Sequence, residues 1–121
     1  MSIIKLEKIV IAKAKSLKNQ HKYPASIIGA KYSYFRKIDR SGPISPNIIV
    51  KKLRDQLNNI GELYTKHNGN TLGCCAEINA SNQILERRPK IELKSIIFTK
   101  AIRPRTMQII PTCKNCKLTF N

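Results

Sequence analysis

Two cysteine motifs and one glutamate define the chemistry open to this chain. Cys75 and Glu77 stand two apart in TLGCCAEINASNQIL, residues 71–85, and Cys113 and Cys116 form a C-x-x-C in PTCKNCK, residues 111–117. A catalytic zinc site asks for three protein ligands, an open fourth position and a nearby group that moves protons. Cys113 and Cys116, three apart at what reads as a helix start, face one way and supply two thiolates. A structural four-cysteine site wants a second C-x-x-C, but the remaining pair, Cys74 and Cys75, is adjacent, and its side chains do not easily converge on one ion. Three ligands fit better than four, with Zn²⁺ as the expected cofactor.

Glu77 selects between the adjacent cysteines. In the first turn of a helix, a residue two positions past a ligand can approach the ion's open position without binding it. The ligand is therefore expected at Cys75, and Cys74 is expected to pack as a small apolar residue ahead of the helix. Helix N-termini behind Cys75 and Cys113 would offset part of the charge of three thiolates. The same cysteines also suit a purely architectural zinc site or a redox pair, and a glutamate at a helix start is favoured by the dipole without any chemistry.

The elements that must hold these residues follow from periodicity and punctuation. Ile3, Leu6, Val10, Ala14 and Leu17 recur at helical spacing within residues 1–20, and ASIIGAKYSYFRKI, residues 25–38, reads as a strand or a hairpin of two short strands. Ser45 as N-cap, Pro46 at the first helical position and Gly61 after the last periodic residue frame a helix whose buried stripe is Ile49, Leu53, Leu57 and Ile60. ELYTKH, residues 62–67, reads as a strand and Asn68-Gly69-Asn70 as a turn that tolerates positive φ. A helix over residues 75–88, ended by Pro89, carries Ala76, Ala80, Ile84 and Leu85 inward, and residues 91–101 read as one strand. After the loop RPR comes a short strand at MQII, residues 107–110, and then a final helical start. This order predicts a single layered α/β domain over residues 1–121.

Composition narrows the partners. A chain of 121 residues holds one modest core, and 41% hydrophobic with 25% charged residues excludes wholesale disorder. Lys and Arg number 23 against 7 Asp and Glu, a formal charge of +16, with 13 of the 23 in residues 1–60, so the folded body itself is positive. Such a field attracts nucleic acid or an acidic protein, and the same balance also arises in a Lys- and Ile-rich proteome. No stretch approaches the ~20 apolar residues of a membrane span, so no membrane partner is expected. The clustered cysteines make poor staples, and metal or redox chemistry is expected of them in place of disulfides.

Cys75-Ala76-Glu77, followed after a strand by Pro111-x-Cys113-x-x-Cys116, resembles the zinc-dependent cytidine deaminase superfamily, whose signature is H-x-E…P-C-x-x-C with three cysteines as an accepted ligand set. Thr112, between the proline and the first cysteine, departs from that signature. The resemblance covers residues 71–117, and within the superfamily it is nearest to the bacterial polymorphic-toxin deaminases, the YwqJ-like group. The G-x-C-A-E that starts at Gly73, the long part before it, and the end at Asn121, five residues after Cys116, suggest that group.

The resemblance implies an α/β/α sandwich with a mixed central sheet and the zinc at two helix N-termini. It implies that Cys75, Cys113 and Cys116 hold Zn²⁺, which activates water to attack C4 of cytosine, and that Glu77 carries the proton to the ring and then to departing ammonia. It also implies the toxic domain of a larger secreted bacterial protein, acting in the target-cell cytoplasm, with a cognate immunity protein as partner. Single-stranded DNA is the favoured substrate over RNA or duplex, since the base must be exposed. Substrate contacts are expected from His67, Ala76, Arg103 and Arg105, and backbone contacts from Lys31, Arg36 and Lys37 in KYSYFRK, a run that equally suits a half-buried strand with a wet basic face. A deaminase of free cytidine and a non-catalytic nucleic-acid-binding zinc module are the competing readings.

Overall fold

Hairpins dominate the sheet. The computed structural model describes residues 2–120. Its elements run α1 (Ile3–Asn19), β1 (Ile27–Tyr32), β2 (Phe35–Arg40), α2 (Lys51–Ile60), β3 (Lys66–His67), β4 (Asn70–Thr71), α3 (Ala76–Arg87), β5 (Ile97–Phe98), β6 (Ala101–Arg103), β7 (Gln108–Ile110) and α4 (Lys114–Phe120). The main sheet has the order β2-β1-β6-β7, with β5 also pairing β1. Every strand pairing among the described residues is antiparallel, which corrects the expectation of a mixed sheet. The reason lies partly in the short turns: Ser33 and Tyr34 join β1 to β2, and residues 104–107 join β6 to β7, connections that only antiparallel neighbours can use.

Alternation along β1 sorts the layers. Ile27 packs with Val10 and Ala14 of α1 on one face, while Ile28 and Ala30 join the larger core with Ala80, Ile84, Leu53, Leu57 and Phe120 on the other. Helices thus cover both faces of a mixed α/β domain. The sheet and α1 meet closely at Gly29, where a Cβ would sit 2.8 Å from Leu6 Cγ and 3.0 Å from Thr99 Cγ2. No helix among the described residues is long and apolar enough to cross a membrane.

Two element boundaries differ from expectation for tertiary reasons. The helix expected to start at Pro46 starts at Lys51, and residues 45–49 form turns instead. Asn82 of α3 accepts a hydrogen bond from Val50 N–H at 2.7 Å and donates to Ile48 C=O at 3.1 Å, which holds Val50 extended at ψ 138° and delays the helix. The single strand expected over residues 91–101 is a 3-10 turn at Leu93–Ser95, then β5 and β6. Between Ala30↔Phe98 and Ile27↔Ile102 the partner strand carries one extra residue, so Thr99 and Lys100 form a bulge. Thr99 fixes that bulge by donating its N–H to Gly29 C=O at 2.9 Å and accepting Gly29 N–H on Oγ1 at 2.9 Å. The strand expected at residues 62–67 is likewise reduced to Lys66–His67, paired with β4 across the positive-φ turn Asn68-Gly69.

Candidate metal centre and adjoining cavity

Gly73 sets the approach to the site. Its φ of 89° belongs to the left-handed region that favours glycine, and it turns the chain from the buried Leu72 into Cys74 and Cys75. Cys75 caps α3: its carbonyl accepts the first helical bond, from Ile78 N–H at 3.1 Å, while its own ψ of 148° stays extended. Glu77 follows in the first turn. Cys113 immediately precedes α4, where Lys117 N–H reaches its carbonyl at 3.1 Å, and Cys116 lies buried one turn on.

The three sulfurs of Cys75, Cys113 and Cys116 lie within 4.8 Å of one another, and Cys75 Sγ is 3.2 Å from Cys113 Sγ. Sulfurs that share a tetrahedral zinc at ~2.3 Å each stand about 3.8 Å apart, so the triangle matches that ion to within about 1 Å. An all-thiolate donor set is soft and selects zinc over magnesium or calcium. The residues therefore fit a bound zinc. All four cysteines are free, and Cys74 is not packed away as expected but half-buried in the cavity wall, its thiol pushed up by burial.

Protonation in the metal-free protein follows from this crowding. Cys113 is held down to about 2, because the Cys116 and Cys75 thiols both donate to it and the Cys116 and Asn115 backbone N–H groups add to the effect. Cys75 is pushed up to about 12, chiefly by its hydrogen bond to Cys113, and Cys116 is pushed up by Cys113 and Cys75 together. The crowding thus favours one negative charge shared within the triad, with Cys113 as the most acidic of the three. Glu77, only 6% exposed, has its carboxyl raised by burial foremost, against the lowering by its own backbone N–H, with the Cys113 charge adding to the rise.

Cys75, Glu77 and Cys113 open together onto a cavity of about 580 Å³. Ser41 and Gly42 close one side, held there by Gly42 N–H donating to Cys74 C=O at 2.8 Å and by Asn79 donating to Arg40 and Gly42 carbonyls at 2.7 and 2.9 Å. Asn70 and Thr71 of β4 form another wall. That wall is tied to the second cysteine motif through Asn115, which accepts from Asn68 Nδ2 at 2.9 Å and donates to His67 C=O at 2.9 Å and Asn70 C=O at 3.4 Å. Sequence reading missed Ser41, Asn70, Asn79 and Asn115; Ser41 and Asn70 stand beside turns, while Asn79 and Asn115 lie in α3 and α4, where a small polar side chain carries no signal of its partner.

The remaining expected contacts divide. Arg103 lines the cavity, and Arg105 lines a second one beside it. His67 lies outside the lining, its Nε2 paired with Thr65 Oγ1 at 2.8 Å and its ring turned toward Gly61. Ala76 is fully buried in the core, because it starts the inward face of α3. Lys31, Arg36 and Lys37 sit on the β1–β2 hairpin, with Lys31 opposite Arg36, and none of them lines the cavity. Tyr34, in that hairpin's turn, is 89% exposed.

Comparison with protein-family models, with curated proteins and with solved structures finds no match.

Proposed function

We propose that this protein is a zinc-dependent hydrolytic deaminase that converts cytosine to uracil in single-stranded nucleic acid, DNA foremost. One observation carries the reading: three thiols from the starts of two helices converge, and two of them, Cys75 and Cys113, border one cavity together with the buried carboxylate of Glu77. A purely architectural site has no use for a cavity beside its ligands or for an acid buried there. Helices on both faces of the sheet are compatible with a cytidine-deaminase-like fold, the finer assignment that the motif resemblance suggests.

Cys75, Cys113 and Cys116 would hold the ion. When bound, zinc supplies the Lewis acidity that makes water a nucleophile near neutral pH. Glu77 takes the two protons of water in turn, passing the first to the ring nitrogen and the second to the leaving amine, so that cytosine and water become uracil and ammonia. Its raised pKa suits a group that must both hold and release a proton. The walls formed by Ser41, Gly42, Asn70 and Thr71 shape the room for one base. The charge of +16 favours a polyanion over a free nucleoside. The motif resemblance further supports a toxic domain of a secreted bacterial protein, active in the target-cell cytoplasm and neutralised by an immunity protein.

The test is metal analysis of native protein together with incubation against free cytidine, single-stranded DNA, duplex DNA and RNA, reading ammonia and C-to-U conversion. One zinc per chain and preferential conversion of single-stranded DNA are expected. Metal-free native protein, or no ammonia from any substrate, overturns the reading. Preferential conversion of free cytidine leaves the chemistry and overturns the polymer.

A further inference from the structure

A second cavity, of about 510 Å³, adjoins the first, and the two share Ala25 and Arg103 in their walls. Its other sides come from Tyr23 and Pro24, between α1 and β1, and from Arg105 and Thr106, in the turn between β6 and β7. Both segments are constrained. Met107 N–H closes the β6–β7 turn on Arg103 C=O at 2.7 Å, and Pro104 is fully buried beneath it. On the opposite side, His21 Nδ1 meets Tyr23 Oη at 3.2 Å, and the two rings stand edge to face with centroids 6.3 Å apart. The Tyr23 ring is thus held by its hydroxyl end while remaining 48% exposed.

The charge pattern gives this cavity a direction. Among the described residues the only ion pairs are Lys51–Asp55 and Lys94–Glu92, so neither Arg103 nor Arg105 is matched by a carboxylate. Two unmatched guanidiniums beside an oriented aromatic ring suit a flat base next to a phosphodiester: the ring stacks, and the guanidiniums take the phosphate oxygens. Arg103 borders both cavities, where a phosphate linking two successive nucleotides would lie.

We propose that the second cavity is the subsite for the nucleotide next to the reacting one in single-stranded DNA, with the base stacked on Tyr23 and the linking phosphate held by Arg103 and Arg105. This rests on the deaminase reading for the identity of the first cavity's occupant, but its test does not require turnover.

The experiment uses zinc-loaded protein carrying Glu77→Gln, so that no substrate is consumed, and measures affinity for a fluorescent single-stranded pyrimidine DNA tetramer, for the same RNA sequence and for deoxycytidine monophosphate. Tyr23→Ala should lower the ratio of tetramer to mononucleotide affinity by about 5- to 100-fold, the range of one lost base stack, and Tyr23→Phe should restore it to within about threefold. Arg105→Ala should lower the same ratio, with a shallower salt dependence. Unchanged melting temperatures establish that these exposed substitutions leave the fold intact. An unchanged ratio in both alanine variants, or equal weakening of tetramer and mononucleotide, overturns the subsite. A larger Tyr23 dependence with RNA overturns the assignment to DNA. If the Tyr23-dependent ratio holds while protein with Glu77 intact releases no ammonia from any substrate, the deamination reading falls and the nucleotide subsite stands.

Discussion

Zinc uptake by this site should be coupled to proton release, by an amount that the arrangement of the three thiols sets. Between pH 6 and 8 the metal-free triad favours an ionised Cys113, whose thiol is held down by its hydrogen bonds to Cys116 and Cys75, and a protonated Cys75, whose thiol is pushed up chiefly by Cys113. Cys116 is raised as well and also stays protonated. A zinc held by three thiolates must therefore expel two protons, not three. Each released proton makes the affinity rise tenfold per pH unit, so the expected gain is about 100-fold, or about 2.7 kcal/mol, per unit. Competition against a chromophoric chelator at pH 6, 7 and 8, corrected for the chelator's own protonation, reads the slope. Proton release on adding zinc in weakly buffered solution counts the protons directly. A slope near zero, or release of fewer than one proton per zinc, would refute the sharing of one charge among three sulfurs; release of three would show that Cys113 is not pre-ionised.

Glu77→Gln should reduce deamination by about 10²- to 10⁴-fold while one zinc per chain is retained, as metal analysis and steady-state rates will show. In metal-free protein the raised carboxyl of Glu77 contributes stability below its ordinary value of 4.5 and loses that contribution as pH rises through its folded value. Urea midpoints should therefore fall with pH more steeply in wild type than in Glu77→Gln, and identical profiles would contradict the burial argument. Asn115→Ala removes the buried side chain that joins the Asn68-Gly69 turn to the C-x-x-C, so calorimetry should find about 1–3 kcal/mol of destabilisation and a melting temperature lower by about 4–10 °C. Zinc affinity should drop with it. Gly29→Ala places a methyl 2.8 Å from Leu6 Cγ and should cost about 1–3 kcal/mol in urea unfolding, with the zinc stoichiometry unchanged.

The helices were legible where one stripe of residues decides burial. Leu6, Val10 and Ala14 of α1, and Leu53 and Leu57 of α2, are fully buried at the positions that period 3.6 assigns. The residues that hold the site together were much less legible. Asn82 overrides the Ser45-Pro46 start signal by hydrogen-bonding Val50 and Ile48 from another helix, and local propensity carries no trace of a partner 32 residues away. Asn79 and Asn115 look like ordinary polar residues in sequence, yet each bonds two carbonyls of a segment that runs into a cavity wall, Arg40 and Gly42 for the first, His67 and Asn70 for the second.

By itself, the sequence determined the donor set: which residues carry thiols, that a carboxylate follows Cys75 by two, and that Gly73 can adopt the turn before them. Side-chain chemistry and short spacing are local properties, set by the covalent chain. Bringing Cys75 within 3.2 Å of Cys113 across 38 residues was decided only by the tertiary structure, through packing of α3 and α4 in one core. So was the placing of Tyr23 in one cavity wall with Arg103 and Arg105, because the bulge at Thr99 and Lys100 sets the register of β6 against β1, an adjustment that one extra residue and its hydrogen bonds to Gly29 impose.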